Sequence, residues 1–223
     1  MPSAERDAAT GWSPIQLGHL LADGAVRRTM LSGLDLVVWR SFEGQVSLWD
    51  NRCPHRGMRL SHGFVRGDAL ACIYHGWHFG KTGVCRSIPA HPGLEPPDAI
   101  SVNTYRCVEM DGVIWGAEAD AAGDPPAISG RGLRSLVVEA PLATAKAAIM
   151  AAGGADRTTH LILPVAEAGE LILLGQPMTD ARSALHLLSV DAVSAGASKA
   201  LSRAGEAVRR AAEQASASER GAS

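Results

Sequence analysis

The stretch CPHRGMRLSHGFVRGDALACIYHGWH, from Cys53 to His78, holds two pairs of side chains that can bind metal. The first pair is Cys53 and His55, separated by one residue, and the second is Cys72 and His75, separated by two. Sixteen residues lie between His55 and Cys72. Proline and glycine accompany both pairs, which predicts two tight loops that each present one thiol and one imidazole.

Two thiolates and two imidazoles can bind a tetrahedral zinc ion or a Rieske-type [2Fe–2S] cluster. A Cys2His2 zinc finger keeps its two cysteines in one pair and its two histidines in the other. Here each pair supplies one cysteine and one histidine, so each loop would reach both irons of a two-iron cluster. The spacing therefore predicts a Rieske cluster whose metal ligands are Cys53, His55, Cys72 and His75.

The residues around these ligands resemble the N-terminal domain of Rieske non-haem iron oxygenases, which hydroxylate aromatic rings or remove O- and N-methyl groups. The resemblance rests on CPHRGMRLSHG and CIYHGWHFGKTGVCRSIPA and covers most of residues 12 to 119. Rieske proteins of respiratory complexes carry a second cysteine in each cluster loop, and the two form a disulfide. Neither loop has that cysteine here, which is similar to the oxygenase and ferredoxin branch, where potentials lie toward the low end of about −150 to +300 mV.

The cluster loops contain other residues with expected roles. Gly57 and Gly76 would allow sharp bends that aim backbone N–H groups at sulfur, and such hydrogen bonds tune the potential of a cluster. Tyr74 and Trp77 would either shield the cluster or serve as plain hydrophobic cover.

The composition is that of a globular chain without a dominant charge. The chain has 223 residues, enough for one large or two small domains, and a formal net charge of −2. This charge gives no reason to expect a nucleic acid or an anionic membrane as a partner. The sequence leads us to expect neither a spanning segment nor a signal peptide, and Cys85 and Cys107 are expected to be free thiols, so the expected location is the cytoplasm.

The first half is predicted to be an all-β Rieske domain, an antiparallel β-sandwich with a cluster-binding subdomain, over residues 1–120. Short β-rich runs alternate with turn signals such as Ser32-Gly33 and Asp111-Gly112. Residues 121–134 are rich in alanine, glycine and proline and are predicted to be a linker.

After the linker, aromatic residues disappear and alanine becomes frequent. Residues 135–191 are predicted to form a small α+β region, and residues 192–223 a C-terminal helix, over 194–216, with a tail. The run LILLGQPMTDARSALHLLSV resembles a hairpin of the oxygenases' catalytic domain, so the second half is interpreted as a truncated, degenerate remnant of that domain.

In that family the catalytic domain binds a mononuclear Fe(II) through two histidines and one carboxylate. The histidines stand in the pattern Asp-x-x-His-x-x-x-x-His, and the Asp bridges to a cluster ligand of a neighbouring subunit. Asp156 matches the Asp, but Thr159 and Pro164 stand at the two histidine positions. The sequence therefore predicts that this iron site is absent, with Asp156 as the mark of a retained subunit contact or simply a turn residue. A different set remains as an alternative: His160 and His186, with Asp180 or Asp191.

These features together predict an electron-transfer or auxiliary subunit of a hetero-oligomeric Rieske oxygenase, without catalytic residues of its own. The resemblance implies an oxygenase catalytic subunit as one partner and a ferredoxin or flavin reductase as another. No GxGxxG fingerprint follows a predicted strand, so the chain is not predicted to be a reductase. Two alternatives remain open: a complete small oxygenase that uses the alternative iron ligands, and a structural partner subunit that keeps the cluster for stability.

Overall fold

The computed structural model describes residues 11–117, 121 and 123–221. The first ten residues, on which the expectation about a signal peptide rests, lie outside this part of the chain. So do residues 118–120 at the predicted end of the Rieske domain, residue 122 of the predicted linker, and the last two residues of the tail.

The described first half consists of antiparallel strands, as its short apolar runs and turn residues predict. The strands are β1 (Trp12–Leu17), β2 (Val26–Leu31), β3 (Leu34–Arg40), β4 (Val46–Asp50), β5 (Phe64–Arg66), β6 (Ala69–Ala71), β7 (His78–Gly80), β8 (Cys85–Ser87), β9 (Thr104–Met110) and β10 (Val113–Ala117). One sheet has the order β1-β10-β9-β4-β3-β2, and a smaller sheet has the order β5-β6-β7-β8. Short 3-10 turns lie at Gly18–Leu20 and Leu60–His62.

Strand β3 explains how the smaller sheet is held in place. Successive side chains of a strand point to opposite faces, and the apolar run of β3 buries both. Val37 and Trp39 share a core with Leu70 of β6, whereas Leu36 and Val38 belong to a separate core on the other face. The small sheet, which carries the second cluster loop, therefore packs on one face of the large sheet.

The second half forms its own antiparallel sheet with helices on one side. Its elements are β11 (Arg131–Val138), α1 (Leu142–Ala151), β12 (Ala155–Asp156), β13 (Leu161–Val165), β14 (Gly169–Thr179), β15 (Arg182–Ser189) and α2 (Ala195–Gly221). The strand order is β11-β15-β14-β13-β12. The predicted fold class, an all-β domain followed by a small α+β region and a C-terminal helix, is confirmed. Of the helices in the described residues, none has the length and apolar character needed to cross a membrane.

Strand β14 lies in the middle of the protein, which accounts for its nearly continuous apolar sequence. Leu171 and Leu173 pack in a core with the helices, together with Leu201 of α2. The alternate residues, Ile172 and Leu174, belong to a different core that includes Trp12 and other residues of the first sheet. The second sheet is thus enclosed between its own helices and the first half.

Two predicted boundaries differ from the structure. Strand β11 begins at Arg131, so the last four residues of the predicted linker, 131–134, are strand, because they pair with the end of β15 up to Ser189. Helix α2 continues to Gly221, five residues beyond the predicted end at 216. The additional turn is stabilised by Ser216, which is buried and accepts a hydrogen bond from Arg220 at 2.6 Å.

The turn between β2 and β3 joins the two halves. Ser32 and Gly33 both have positive φ angles, 47° and 88°, as expected for a tight hairpin turn. Their N–H groups donate to the carbonyl oxygens of Pro177 and Met178 in β14, at 3.1 and 2.8 Å. The side chain of Gln176 reaches back and donates from Nε2 to Met30 O at 2.6 Å.

Candidate metal centre

The first cluster loop follows β4 and folds into a closed turn around Cys53. The N–H of Gly57 donates to the carbonyl oxygen of Cys53, and the N–H of Cys53 donates to the carbonyl oxygen of Met58, both at 2.8 Å. Gly57 adopts a φ of +71°, a left-handed conformation that glycine accepts without strain. These bonds fix the loop so that His55 stands at its tip.

The second loop connects β6 to β7 and repeats the same backbone pattern. Gly76 donates to the carbonyl oxygen of Cys72, and Cys72 donates to that of Trp77, both at 2.9 Å. Gly76 has a φ of +69°. Each cysteine is therefore followed, four residues later, by a left-handed glycine, and the bends expected at Gly57 and Gly76 are present in both loops.

The four predicted ligands come together with their thiols inward and their imidazoles outward. Cys53 and Cys72 are buried, at 3% and 1% exposure, in the core that includes Trp39. His55 is half-buried and His75 is exposed. The two imidazole rings lie 4.6 Å apart between centroids, with 62° between their planes. This segregation suits a two-iron cluster whose inner iron is held by sulfur and whose outer iron is held by nitrogen.

The environment of Cys53 keeps a free thiol protonated and brings two backbone N–H groups to its sulfur. Burial raises the pKa of the Cys53 thiol to about 11; the backbone N–H groups of His55 and Arg56 act in the opposite direction, and the adjacent Cys72 raises it further. The free thiol is therefore protonated, and a bound metal would displace that proton. The same N–H groups would then donate to the sulfur ligand.

Among the described residues, no group of three or more His, Cys, Asp or Glu side chains converges on one metal ion. A Rieske cluster does not require such a group, because each of its irons takes only two protein ligands and the bridging sulfides complete the coordination. The paired thiols and paired imidazoles thus fit this cofactor.

Two aromatic side chains of the second loop lie against the imidazoles. Trp77 stacks on His55 with 4.3 Å between ring centroids and 5° between planes. Tyr74 contacts His75 at 3.8 Å with a tilt of 34°, and it remains 53% exposed. The two aromatic rings thus cover part of the histidine side of the four predicted ligands.

A hydrogen-bond network below the first loop is a feature that the sequence reasoning missed. Asn51 is fully buried, accepts the Ser61 N–H at 2.7 Å and donates to Asp35 Oδ1 at 3.0 Å. Burial of Asp35 opposes its ionisation, but the hydrogen bonds from Arg28 and Asn51 prevail and lower its pKa. The network fixes the chain two residues before Cys53.

The remaining cysteines lie apart from the four predicted ligands. Cys85 is a buried free thiol in the core behind the cluster loops, and Cys107 is a free thiol in β9. Burial raises the pKa of the Cys85 thiol.

The alternative iron ligands do not form a site in the structure. His186 lies in β15, fully buried, with Nδ1 2.7 Å from Ser135 Oγ and Nε2 3.1 Å from Gln176 Oε1. Both ring nitrogens are thus engaged by protein groups, and neither is open to a metal ion. His160 is half-buried, and its Nδ1 lies 3.0 Å from Thr159 Oγ1. The alternative iron-binding set, His160 and His186 with Asp180 or Asp191, is therefore wrong. Both nitrogens of His186 are buried in the sheet and already engaged in hydrogen bonds.

The loops and their ligands define an iron–sulfur domain of the Rieske class. Residues 11–106 match the family described as the Rieske [2Fe-2S] domain. This part of the chain belongs to that family, and its cofactor is a Rieske-type [2Fe–2S] cluster.

Curated relatives place the domain in an oxygenase and oxidoreductase context. The chain is 41% identical over 118 residues to the oxidoreductase NdmD of Pseudomonas putida, which covers 52% of this chain and 20% of that protein. It is 40% identical over 106 residues to the 3-chlorobenzoate-3,4-dioxygenase oxygenase subunit of Comamonas testosteroni, which covers 47% and 24%. The chain thus spans a quarter or less of the length of these relatives.

Solved structures extend the likeness into the second half. NdmB of Pseudomonas putida CBB5 superposes with a TM-score of 0.72 at 14% identity, over 94% of this chain and 83% of that chain. Dicamba monooxygenase bound to dicamba gives a TM-score of 0.71 at 16% identity, over 93% and 88%. At such identities the likeness shows the fold alone. The family match and the curated relatives confirm the predicted resemblance of the first half to the Rieske domain of the non-haem iron oxygenases.

Proposed function

We propose that this chain is a Rieske electron-transfer or auxiliary subunit of a hetero-oligomeric Rieske oxygenase. It would pass electrons from a ferredoxin or flavin reductase to the mononuclear iron of an oxygenase catalytic subunit. The observation that carries the proposal is the intact two-loop centre, in a chain whose Asp156 segment has Thr159 and Pro164 where the family has iron-binding histidines.

The ligand roles follow from depth in the protein. Cys53 and Cys72, both buried, would hold the inner iron, and His55 and His75 would hold the outer iron at the surface. When bound, the cluster supplies one-electron transfer. The protein keeps water from the thiolate side and leaves the imidazole side within reach of a partner.

The surface beside His75 supports contact with a partner at this end. Ile73 and Tyr74, which are adjacent in the second loop, are 57% and 53% exposed although both are large hydrophobic side chains. Exposed aromatic and aliphatic side chains of this size are typical of interface cores. A redox partner that covered them would come close to the histidine ligands.

The second half would serve as an assembly surface in this proposal. Asp156 lies exposed in β12, where it would mark a retained subunit contact. The sheet that carries it is joined to the first half through the turn at Ser32 and Gly33. A subunit docked there would be held in a defined position relative to the cluster.

The first test is the iron and sulfide content of the purified chain, combined with EPR before and after reduction by dithionite. We expect two irons and two sulfides per chain and a reversible Rieske-type signal in the reduced state. The variant His55→Ala should lose the signal, whereas His62→Ala, which removes an exposed histidine ten residues before Cys72, should keep it.

Two results would overturn the proposal in different ways. A third iron per chain, with substrate turnover by this chain alone, would show a complete small oxygenase. A cluster that cannot be reduced and reoxidised reversibly would instead show a structural partner subunit.

A further inference from the structure

The stacking of Trp77 on His55 joins the two cluster loops through side chains. Trp77 belongs to the second loop, whereas His55 belongs to the first, and their rings are nearly parallel at 5° and 4.3 Å. The contact of Tyr74 with His75 is different, because both residues belong to the same loop and their rings are tilted by 34°. Trp77 therefore makes an aromatic contact that crosses from one loop to the other, in addition to the contact between the rings of His55 and His75.

Trp77 is itself held firmly in the second loop. Its carbonyl oxygen accepts the N–H of Cys72 at 2.9 Å, and its half-buried side chain packs on the core behind the cluster loops. The preceding Gly76 lies so close to Pro89 that an added Cβ would stand 3.1 Å from the proline ring. The indole is thus a fixed surface rather than a mobile cover.

The imidazole of His55 needs such a surface to keep one orientation. The final torsion of a histidine side chain is broad and two-fold, so the backbone of the loop does not fix the plane of the ring. An indole stacked on one face, with the ring of His75 4.6 Å away, restricts that torsion. The stacked face is also closed to water.

We propose that Trp77 is a positioning residue for the outer iron: it holds the ring plane of His55 and excludes water from one face of that ligand. The inference rests on the proposed function only in taking His55 as a cluster ligand. Reduction adds one negative charge to the cluster, which water stabilises better than an indole ring does. Trp77 therefore keeps the potential lower than it would be with an exposed ligand.

The test uses three variants of the full chain and needs no reductase or partner. Trp77→Leu removes the stacked ring and keeps an apolar side chain, and Trp77→Phe keeps an aromatic ring. Phe42→Leu makes the same aromatic-to-leucine change at a side chain that is 61% exposed, in the turn between β3 and β4, and serves as the matched control. For each, iron per chain, the EPR g values and the midpoint potential are measured, with the rate of cluster loss to a chelator.

We expect Trp77→Leu to shift the midpoint potential upward, change the spread of the EPR g values and speed cluster loss several-fold. Trp77→Phe should recover most of each change, and Phe42→Leu should match the wild type. Unchanged potential and g values in a fully loaded Trp77→Leu would overturn the inference.

If Trp77→Leu does not retain iron, Trp77→Phe decides whether the inference holds. Retention of the cluster by Trp77→Phe supports stacking, and equal loss from both variants overturns it, since size rather than an aromatic face would then matter. A wild-type chain without any cluster would contradict the proposed function itself, which separates the two failures.

Discussion

Histidine is used in opposite ways at the cluster loops and in the second sheet. His55 and His75 stand at loop tips with aromatic rings against them, whereas His186 is sealed in β15 with both nitrogens hydrogen-bonded. The loop histidines are thus placed where they can bind a metal, whereas both nitrogens of the sheet histidine are occupied by hydrogen bonds within the protein. The comparison shows that residue type alone does not identify a metal ligand; what each nitrogen contacts decides it.

The largest effect should come from removing a buried sulfur ligand. Cys72→Ser is expected to abolish the cluster almost completely, because the inner iron loses half of its protein ligands. The second half should stay folded, since its core is separate from the one around Cys72. Iron and sulfide analysis measures the first effect, and the helical circular dichroism signal measures the second. Cys85→Ala is the matched control, and loss of its cluster would contradict the ligand assignment.

Removing the buried histidine His186 should have the opposite result: the protein should lose stability but keep its cluster. His186→Ala is expected to lower the free energy of unfolding by about 3 kcal/mol, because it leaves a cavity and removes hydrogen-bond partners from half-buried Ser135 and buried Gln176. The folded variant should keep two irons per chain. Denaturant unfolding measures the change, with His160→Ala as the control, for which we expect less than about 0.5 kcal/mol. Loss of iron from folded His186→Ala would give this residue a role in the metal centre.

The same burial predicts a dependence of stability on pH. Burial lowers the pKa of His186 to about 4, with an opposing contribution from the backbone of Pro14. Above about pH 6.5 the imidazole is neutral in both the folded and the unfolded chain, and its contribution to stability is complete. Between about pH 6.5 and 4 the unfolded chain binds the proton first, so stability falls as pH falls, by about 3 kcal/mol for this group. Unfolding curves across this range should show a smaller decline in His186→Ala than in the wild type; equal declines would contradict the prediction.

The smallest expected effect is a difference between the two loops in how fast the cluster is lost after a glycine is replaced. Gly57→Ala and Gly76→Ala both force a left-handed backbone onto alanine, at a cost of about 1–2 kcal/mol each. At Gly76 the new Cβ would also meet Pro89, whereas at Gly57 the nearest atom is a flexible arginine nitrogen 3.8 Å away. We therefore expect Gly76→Ala to lose its cluster to a chelator faster than Gly57→Ala. Equal rates would indicate that Pro89 yields without effect on the loop.

The cluster loops could be predicted from the sequence because their determinants are local. The cysteine and histidine spacings, and the glycines at 57 and 76, all act within six residues of a ligand. The network around Asn51 could not be found in this way, since its partners Asp35 and Ser61 are distant in the chain and belong to no motif.

The second half was predicted with less detail for a related reason. Its strands and helices follow from apolar patterns, but the start of β11 at Arg131 depends on pairing with β15, which composition does not reveal. The burial of His186 likewise follows from the first sheet covering β14 and β15, a tertiary effect.

The docking of the Ser32–Gly33 turn on β14 connects the two halves of the protein. Its two backbone hydrogen bonds, and the return bond from Gln176, couple β2 directly to a strand in the middle of the second sheet. Strand β2 pairs with β3, and Trp39 of β3 lies in the core that holds both cysteines, so a continuous series of contacts joins the second sheet to the cluster loops. A displacement of the second sheet would therefore bear on the packing around Cys53 and Cys72, apart from any electrostatic effect.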